Sequence, residues 1–442
     1  MLLLLPCVIL APLRWAVLAW LIMGNLDATG PGFSASDSVG WLNAAKSIAL
    51  PLFLWWRLRA SPSSPMTTVP ARLWICLTLY AALSGLWSPF PLGAAKLVGN
   101  MVGTFLTFVV LEKAARRRGL LNSSFIVLLI LGSLALGILQ TAYFGTYGYD
   151  GSGRPARFSS FLSPQQYAAF LVAFLAVVIW HRKFSMATRL ALGIAVGAAL
   201  AYNGSRTWFS GAVLIVLFYL WSSSKRILAG TLICASTIAL GSLLLINLTP
   251  NVQGRYDNAS SRILATITAL ATGEDTEGEI GLANLNFRLS IYGGAMNELQ
   301  LATVSELVFG HGTSSGGDVI MRVFPRDYTP ERIDVNRVIH NEWLRALYEW
   351  GIIGLALLLT VLGSLFLGLL RLHKRGISGV ASAAGLSFLP AFVLALSTEN
   401  IIAGAGNAVT MSFALLIALT WASDSREVVR RSWPVYASCP TH

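Results

Sequence analysis

Two kinds of side chain in this chain are equipped for chemistry: one histidine, His340, and a small set of arginines. His340 opens the run His340-Asn341-Glu342-Trp343-Leu344, and an imidazole can take a proton near neutral pH. Arg206 lies in Asn203-Gly204-Ser205-Arg206-Thr207, a turn between two closely linked apolar runs with little acidic sequence nearby. Arg157, in Arg154-Pro155-Ala156-Arg157-Phe158, precedes the apolar run that opens near Ser163-Pro164-Gln165-Gln166. Pro164 suits the first turn of a helix, and that helix would present its N-terminal dipole, a seat for anions, on the same side. Arg288 sits in Asn286-Phe287-Arg288-Leu289-Ser290-Ile291-Tyr292, a segment of helical apolar spacing. A guanidinium fork binds phosphate or carboxylate through paired hydrogen bonds and keeps its proton. The chemistry implied is the gripping of an anion beside a base that can activate a hydroxyl. The plainer alternative for each Arg is a structural ion pair with the acids of 248–337, and for His340 an ordinary packing role.

The elements that carry these residues follow from composition. Of 442 residues, 55% are apolar and 12% are charged, against about 25% charged in soluble domains. Such a chain cannot hide its apolar surface in water. It divides into about twelve apolar runs, several of them long enough for roughly 30 Å of hydrocarbon. The runs are 3–23, 39–58, 71–88, 93–112, 122–143, 164–181, 186–203, 207–222, 227–247, 351–370, 378–397 and 404–422. Alternate connections collect Lys and Arg: Arg57, Arg59 and Arg72; Lys113 and Arg116–Arg118; Arg182, Lys183 and Arg189; Lys225 and Arg226; Arg371, Lys374 and Arg375; Arg426, Arg430 and Arg431. The positive-inside rule makes that side cytoplasmic, with both termini on it. The net charge of +12 is thereby explained without a nucleic-acid partner.

The expected organisation is all-α: an N-terminal bundle of about nine spans over 1–247, a large outer loop with a helix over 248–350, and C-terminal spans with a tail over 351–442. Every cation assigned to the outer side is Arg and none is Lys, although topology alone would leave that side poor in positive charge. His340, Leu344, Leu347 and Gly351 fall on one face at helical spacing, whereas Glu349 falls about half a turn away and is badly placed to orient His340.

Other features weigh less. The four cysteines, Cys7, Cys76, Cys234 and Cys439, form no spaced pair. His181, His373 and His442 flank cytoplasmic segments, and in Phe309-Gly310-His311-Gly312 the glycines of a turn matter more than the ring. Met1–Leu5 has no basic start and no clean cleavage site follows, so the first run is expected to be retained. Arg14 within it faces the bundle, or the run is re-entrant. The acidic stretch Glu274-Asp275-Thr276-Glu277-Gly278-Glu279 lacks the spacing of a calcium loop and reads as a solvated loop. No metal site is expected. Trp343, Tyr348 and Trp350 receive no role, because membrane interfaces enrich such rings anyway.

Taken together, these pieces resemble the bacterial O-antigen ligase and Wzy-type polymerase superfamily. Ser205-Arg206 follows an outer turn, and a long loop then carries Arg288 and the Gly310-His311-Gly312 turn. Ile339-His340-Asn341-Glu342-Trp343-Leu344, with Tyr348-Glu349-Trp350-Gly351-Ile352-Ile353-Gly354, looks like the family's His-Asn-x-x-Leu followed by Glu-x-Gly-x-x-Gly. The resemblance covers residues 120–420, and hydropathy alone matches the first hundred. Ser163-Pro164-Gln165-Gln166 departs from the Asn-Pro-Asn turn of many relatives.

The resemblance implies a polytopic helical fold of GT-C-like architecture in a bacterial inner membrane, with its site facing the periplasm. It implies a metal-independent glycosyltransferase without cofactors. The donor would be an undecaprenyl-pyrophosphate-linked glycan, and the acceptor lipid A–core (a ligase) or a second lipid-linked glycan (a polymerase). His340 would then be the general base, Arg206 and Arg288 would hold the pyrophosphate with Arg157 as a third candidate, and Asn341 and Ser205 would support them. A secondary transporter of an anionic solute is the more distant alternative. Against it stand the absence of paired interrupted spans and the scarcity of charge within spans, limited to Arg14, Lys46 and Lys96.

Overall fold

The computed structural model describes residues 4–24, 45–59, 68–117, 120–144, 158, 164–181, 183–222, 280–324, 339–374, 381–399 and 401–402, and every regular element among them is helical. The first half contains α1 (Leu5–Leu10), α2 (Leu13–Met23), α3 (Leu50–Arg57, entered through a π-turn), α4 (Val69–Ser84) and α5 (Pro91–Arg116). After these come α6 (Ser123–Phe144), α7 (Pro164–Trp180), α8 (Met186–Asn203) and α9 (Arg206–Ser222). A cap follows, made of α10 (Ile280–Leu301), α11 (Val304–Phe309) and α12 (Gly316–Val323), and the chain re-enters the bundle through α13 (Glu342–Lys374) and α14 (Ala381–Thr398).

Among the described residues five helices are long and apolar enough to cross a membrane: α4 with the short turn after it, α5, α6, α8 and α13. In none of them does the protein bury more than 44% of the apolar window. Side chains such as Leu79, Leu83 and Leu139 stay exposed, an arrangement that fits hydrocarbon and not water. By contrast, α7 is buried on all sides from Tyr167 to Phe174, and the Tyr167 hydroxyl donates to the Ser133 carbonyl at 3.0 Å. A helix apolar all round belongs in the middle of a bundle. The expected runs from 71–88 to 207–222, with 378–397, fall on helices to within a few residues, whereas the helix that carries 351–370 already begins at Glu342. The runs 227–247 and 404–422 and the acidic stretch 274–279 lie outside the described residues.

The first run is not one continuous span. Pro12 has no N–H to continue the ladder, and Ala11 is extended (φ −68°, ψ 159°), so α1 and α2 are separate pieces. The carbonyls released at the break are taken up by one side chain from α3. Arg57 donates to Val8 O at 3.1 Å and to Ala11 O at 2.9 Å. Arg14 reaches Asn122 Oδ1 at 3.0 Å, at the head of α6. It is thus paired with protein, as expected for a charge inside an apolar run.

Two further packings tie α9 to α14. Gly211 on α9 lies against Ala391 on α14, where an added Cβ would come within 2.8 Å of the alanine Cβ. Trp208 stacks on Phe388 with ring centroids 6.0 Å apart. The cap has its own small core of Ile291, Ala295, Leu299, Val319, Ile320, Ile339 and Tyr348. It therefore joins the bundle chiefly at the head of α13.

Candidate functional site

Local sequence sets the head of α13. The Asn341 side-chain carbonyl accepts from the backbone N–H groups of Trp343 and Leu344 at 3.0 and 3.1 Å, an N-cap that satisfies two otherwise unpaired donors. The helix therefore starts at Glu342. His340 lies two residues before it, just outside the Asn341 cap, and does not share the helical face expected from its spacing to Leu344 and Leu347. A backbone contact anchors it instead: the Tyr292 hydroxyl of α10 donates to the His340 carbonyl. The edge of the ring faces Phe287, with centroids 6.4 Å apart. Burial first, and the positive charge of Arg288 second, push the His340 imidazole down to about 4. It is neutral at physiological pH and can accept a proton.

Arg288 sits one turn before Tyr292 on α10 and reaches the end of α14. Its Nη1 donates to the Thr398 carbonyl, its Nη2 lies 3.5 Å from Glu399 Oε2, and its Nε is buried without a hydrogen-bond partner. A cation at the last carbonyls of a helix also gains from the helix dipole. Glu399 Oε1 accepts from Thr207 Oγ1 at 3.4 Å, and Thr207 shares a hydrogen bond of 3.0 Å with the Thr398 hydroxyl. Thr207 belongs to the first turn of α9. That helix follows a left-handed Gly204 (φ 67°), and its first carbonyl, from buried Ser205, accepts from Phe209 N at 2.9 Å.

Arg206, for which only the backbone is described, therefore heads a helix whose first turn touches the Arg288–Glu399 pair. Trp343 Nε1 donates to Ser397 Oγ at 3.0 Å and ties α13 to α14. Four elements, α9, α10, α13 and α14, thus converge on His340, Arg288, Glu399 and Thr207. Arg157 lies outside the described residues, as does Arg337. Asn341 acts on the backbone of α13, and Ser205 acts at the start of α9.

A second charged group lies beneath. Glu342, Arg345 and Glu349 are fully buried on α13. Arg345 donates from Nε to Glu342 at 2.6 Å and from Nη1 to Glu349 at 2.8 Å, and its guanidinium lies 4.5 Å from the centroid of the Trp350 ring. The outer oxygens of the two acids hold distant backbone: Glu342 Oε1 accepts from Ile402 N at 2.7 Å, and Glu349 Oε1 from Gly316 N at 3.3 Å. Arg345 thus has a structural role, but its acids come from its own helix and not from 248–337. Arg322, paired with Glu298 at 2.6 Å, takes its acid from that stretch.

The two glycine motifs of the sequence are one structural feature. Gly351 (φ 65°, ψ −166°) interrupts α13, and the carbonyls freed there need donors. The Gly310-His311-Gly312 turn supplies them: His311 N donates to Tyr348 O and Gly312 N to Glu349 O, both at 2.9 Å. The Tyr80 hydroxyl closes Trp350 O at 3.1 Å. The His311 ring stacks on Tyr348 at 4.2 Å and 7°, a packing role. Trp350 is fully buried and Tyr348 nearly so, which leaves neither ring free to lie on a sugar.

A Cβ at Gly351 would come within 2.3 Å of Val308 O, in a left-handed conformation that L side chains avoid. Gly351→Ala is expected to abolish recovery of monodisperse protein from membranes, whereas Gly363→Ala, in open space on the same helix, should leave it unchanged. Gel filtration of the two variants tests this.

Among the described residues no group of three or more His, Cys, Asp or Glu is placed to share a metal ion. Sequence reasoning passed over three residues of the site: Tyr292, Thr207 and Glu399. Tyr292 carried a usable signal, four residues after Arg288 on the same helical face. Glu399 carried no comparable signal. No protein-family model matches the chain, and no curated protein matches it either.

Proposed function

We propose that this chain is a membrane glycosyltransferase that moves a glycan from a polyprenyl-pyrophosphate carrier to an acceptor hydroxyl, with ligation of O-antigen to lipid A–core as the specific reaction. The observation that carries this reading is the approach of Arg288 to His340, whose carbonyl is held by Tyr292 one turn further along α10, with the helix headed by Arg206 touching the Arg288–Glu399 pair. In the proposed step the bond between the sugar's anomeric carbon and the phosphate oxygen breaks, and the departing diphosphate takes the electron pair. A new bond forms from the acceptor oxygen to the same carbon, and its proton passes to His340. Fixed guanidinium groups favour the charge that builds on the leaving group. A neutral imidazole at rest suits the base role. The reading includes a twelve-span, GT-C-like arrangement in a bacterial inner membrane, with both termini cytoplasmic and the site periplasmic. It requires no cofactor.

Reconstitution tests it. Protein in liposomes, supplied with undecaprenyl-pyrophosphate-linked glycan and lipid A–core in EDTA, is expected to yield glycosylated lipid A–core and free undecaprenyl pyrophosphate. A longer lipid-linked glycan would make the enzyme a polymerase. Transfer to neither acceptor by intact protein overturns the proposal. A charge-assisted hydrogen bond is worth about 1.5–3 kcal/mol, so Arg288→Ala and Arg206→Ala should each slow transfer about ten- to a hundredfold. Arg206→Lys is expected to be impaired as well, since a point charge does not replace the fork.

A further inference from the structure

We propose that Glu399 is a positioning residue that occupies the seat of the donor's diphosphate in the unloaded protein: its carboxylate holds Arg288 in place and is exchanged for phosphate oxygens when substrate arrives. The inference rests on the pyrophosphate reading above and assigns a selectivity device to that site.

The contrast among arginines within this one protein is the starting point. Arg345 meets its two acids at 2.6 and 2.8 Å, and Arg322 meets Glu298 at 2.6 Å, the short distances of tight charge-assisted bonds. Arg288 stands 3.5 Å from Glu399 and has a buried Nε with no hydrogen-bond partner. Its pairing is loose on one edge and unfilled at Nε, so a stronger bidentate acceptor would be bound better than the carboxylate present. Its remaining tie, from Nη1 to the Thr398 carbonyl, uses a different nitrogen and can persist during the exchange. Glu399 also accepts from Thr207 at 3.4 Å, so losing Arg288 does not leave its carboxylate without a donor.

A carboxylate fixed beside the binding edge competes at high effective concentration with any incoming anion. A singly charged anion gains little over it. A diphosphate, with more charge and more acceptor oxygens, displaces it. Glu399 would thereby exclude small monovalent anions from a partly buried cationic site and keep Arg288 aligned between turnovers.

The test uses the full chain in nanodiscs of neutral lipid, titrated by calorimetry with inorganic pyrophosphate and, separately, inorganic phosphate. Glu399→Gln is expected to bind pyrophosphate about tenfold more tightly than the parent and to discriminate less against phosphate. Glu399→Asp keeps the charge but withdraws it by one methylene, and should show a smaller gain in the same direction. It carries the test if the Gln variant does not elute as intact protein. In transfer assays Glu399→Gln should lower KM for the donor and lower kcat with it, a split that a purely structural contact would not produce. Unchanged or weaker pyrophosphate affinity in both variants, with Arg288→Ala still weakening the parent, overturns the exchange and leaves the diphosphate site standing. Pyrophosphate affinity indifferent to Arg288→Ala overturns the site and the exchange together.

Discussion

His340→Ala is expected to lower the rate of glycan transfer by about 10²–10⁴-fold while leaving the protein folded and donor affinity close to that of the parent. The contacts around His340 make the variant clean. The Tyr292 hydroxyl holds the His340 backbone carbonyl, which alanine retains, and Asn341 caps α13 independently. Truncating the ring therefore removes the proton acceptor and its edge contact with Phe287, while the backbone ties that place residue 340 remain. With the imidazole pushed down to about 4 by burial and then by Arg288, kcat/KM should stay level from pH 8 to pH 5 and fall only below that. A fall centred at pH 6.5 would show an imidazole with an ordinary environment, and full activity in His340→Ala would remove it from the mechanism.

Stability follows the same linkage. The unfolded chain protonates this histidine below about pH 6.5, and the folded chain does so only near 4. Acidification through that window therefore favours unfolding, and the contribution is whole above it. His340→Ala should flatten this part of the stability profile.

Arg345→Ala is the substitution expected to damage the fold most among the charged positions. It leaves Glu342 and Glu349 fully buried without their shared partner, a loss of about 3–5 kcal/mol from a total that is commonly only about 5–15 kcal/mol. Because the same two acids hold Ile402 N and Gly316 N, both flanking segments should loosen along with α13. Thermal unfolding in detergent should show the midpoint falling by about 6 °C or more. Replacing all three residues by neutral isosteres (Glu342→Gln, Arg345→Met, Glu349→Gln) should recover much of it. A single variant as stable as the parent would mean the three charges are not mutually dependent.

How far the sequence revealed this arrangement differs from element to element. Helix starts with a local chemical cause were legible: Pro164 opens α7, and the Gly204-Ser205 turn opens α9 at Arg206. The head of α13 was read one step wrong. Apolar periodicity drew His340 onto the helix face, while Asn341 followed by an acid is a cap signal that puts the histidine outside. Periodicity reports which residues share a face, and it does not report where the backbone stops being helical. The gathering of Arg288 toward His340 could be hoped for from residue types, but Glu399 and Thr207 could not. Their roles depend on α14 ending beside α9, a contact between helices far apart in the chain. The pairing of Gly351 with the 310–312 turn was equally hidden, since each motif alone resembles an ordinary turn.

The break at Pro12 has a consequence for biogenesis. Arg57 closes the carbonyls of Val8 and Ala11, and the guanidinium of Arg14 finds Asn122, so α1 and α2 receive these polar partners only after α3 and the head of α6 have been synthesised. Buried along most of α2, from Ala16 to Met23, that segment cannot settle as an independent insertion unit. It has to be held beside the translocon until later segments arrive, and lesions at Arg57 or Asn122 should surface as nascent chains degraded before assembly and not as mature protein with altered properties.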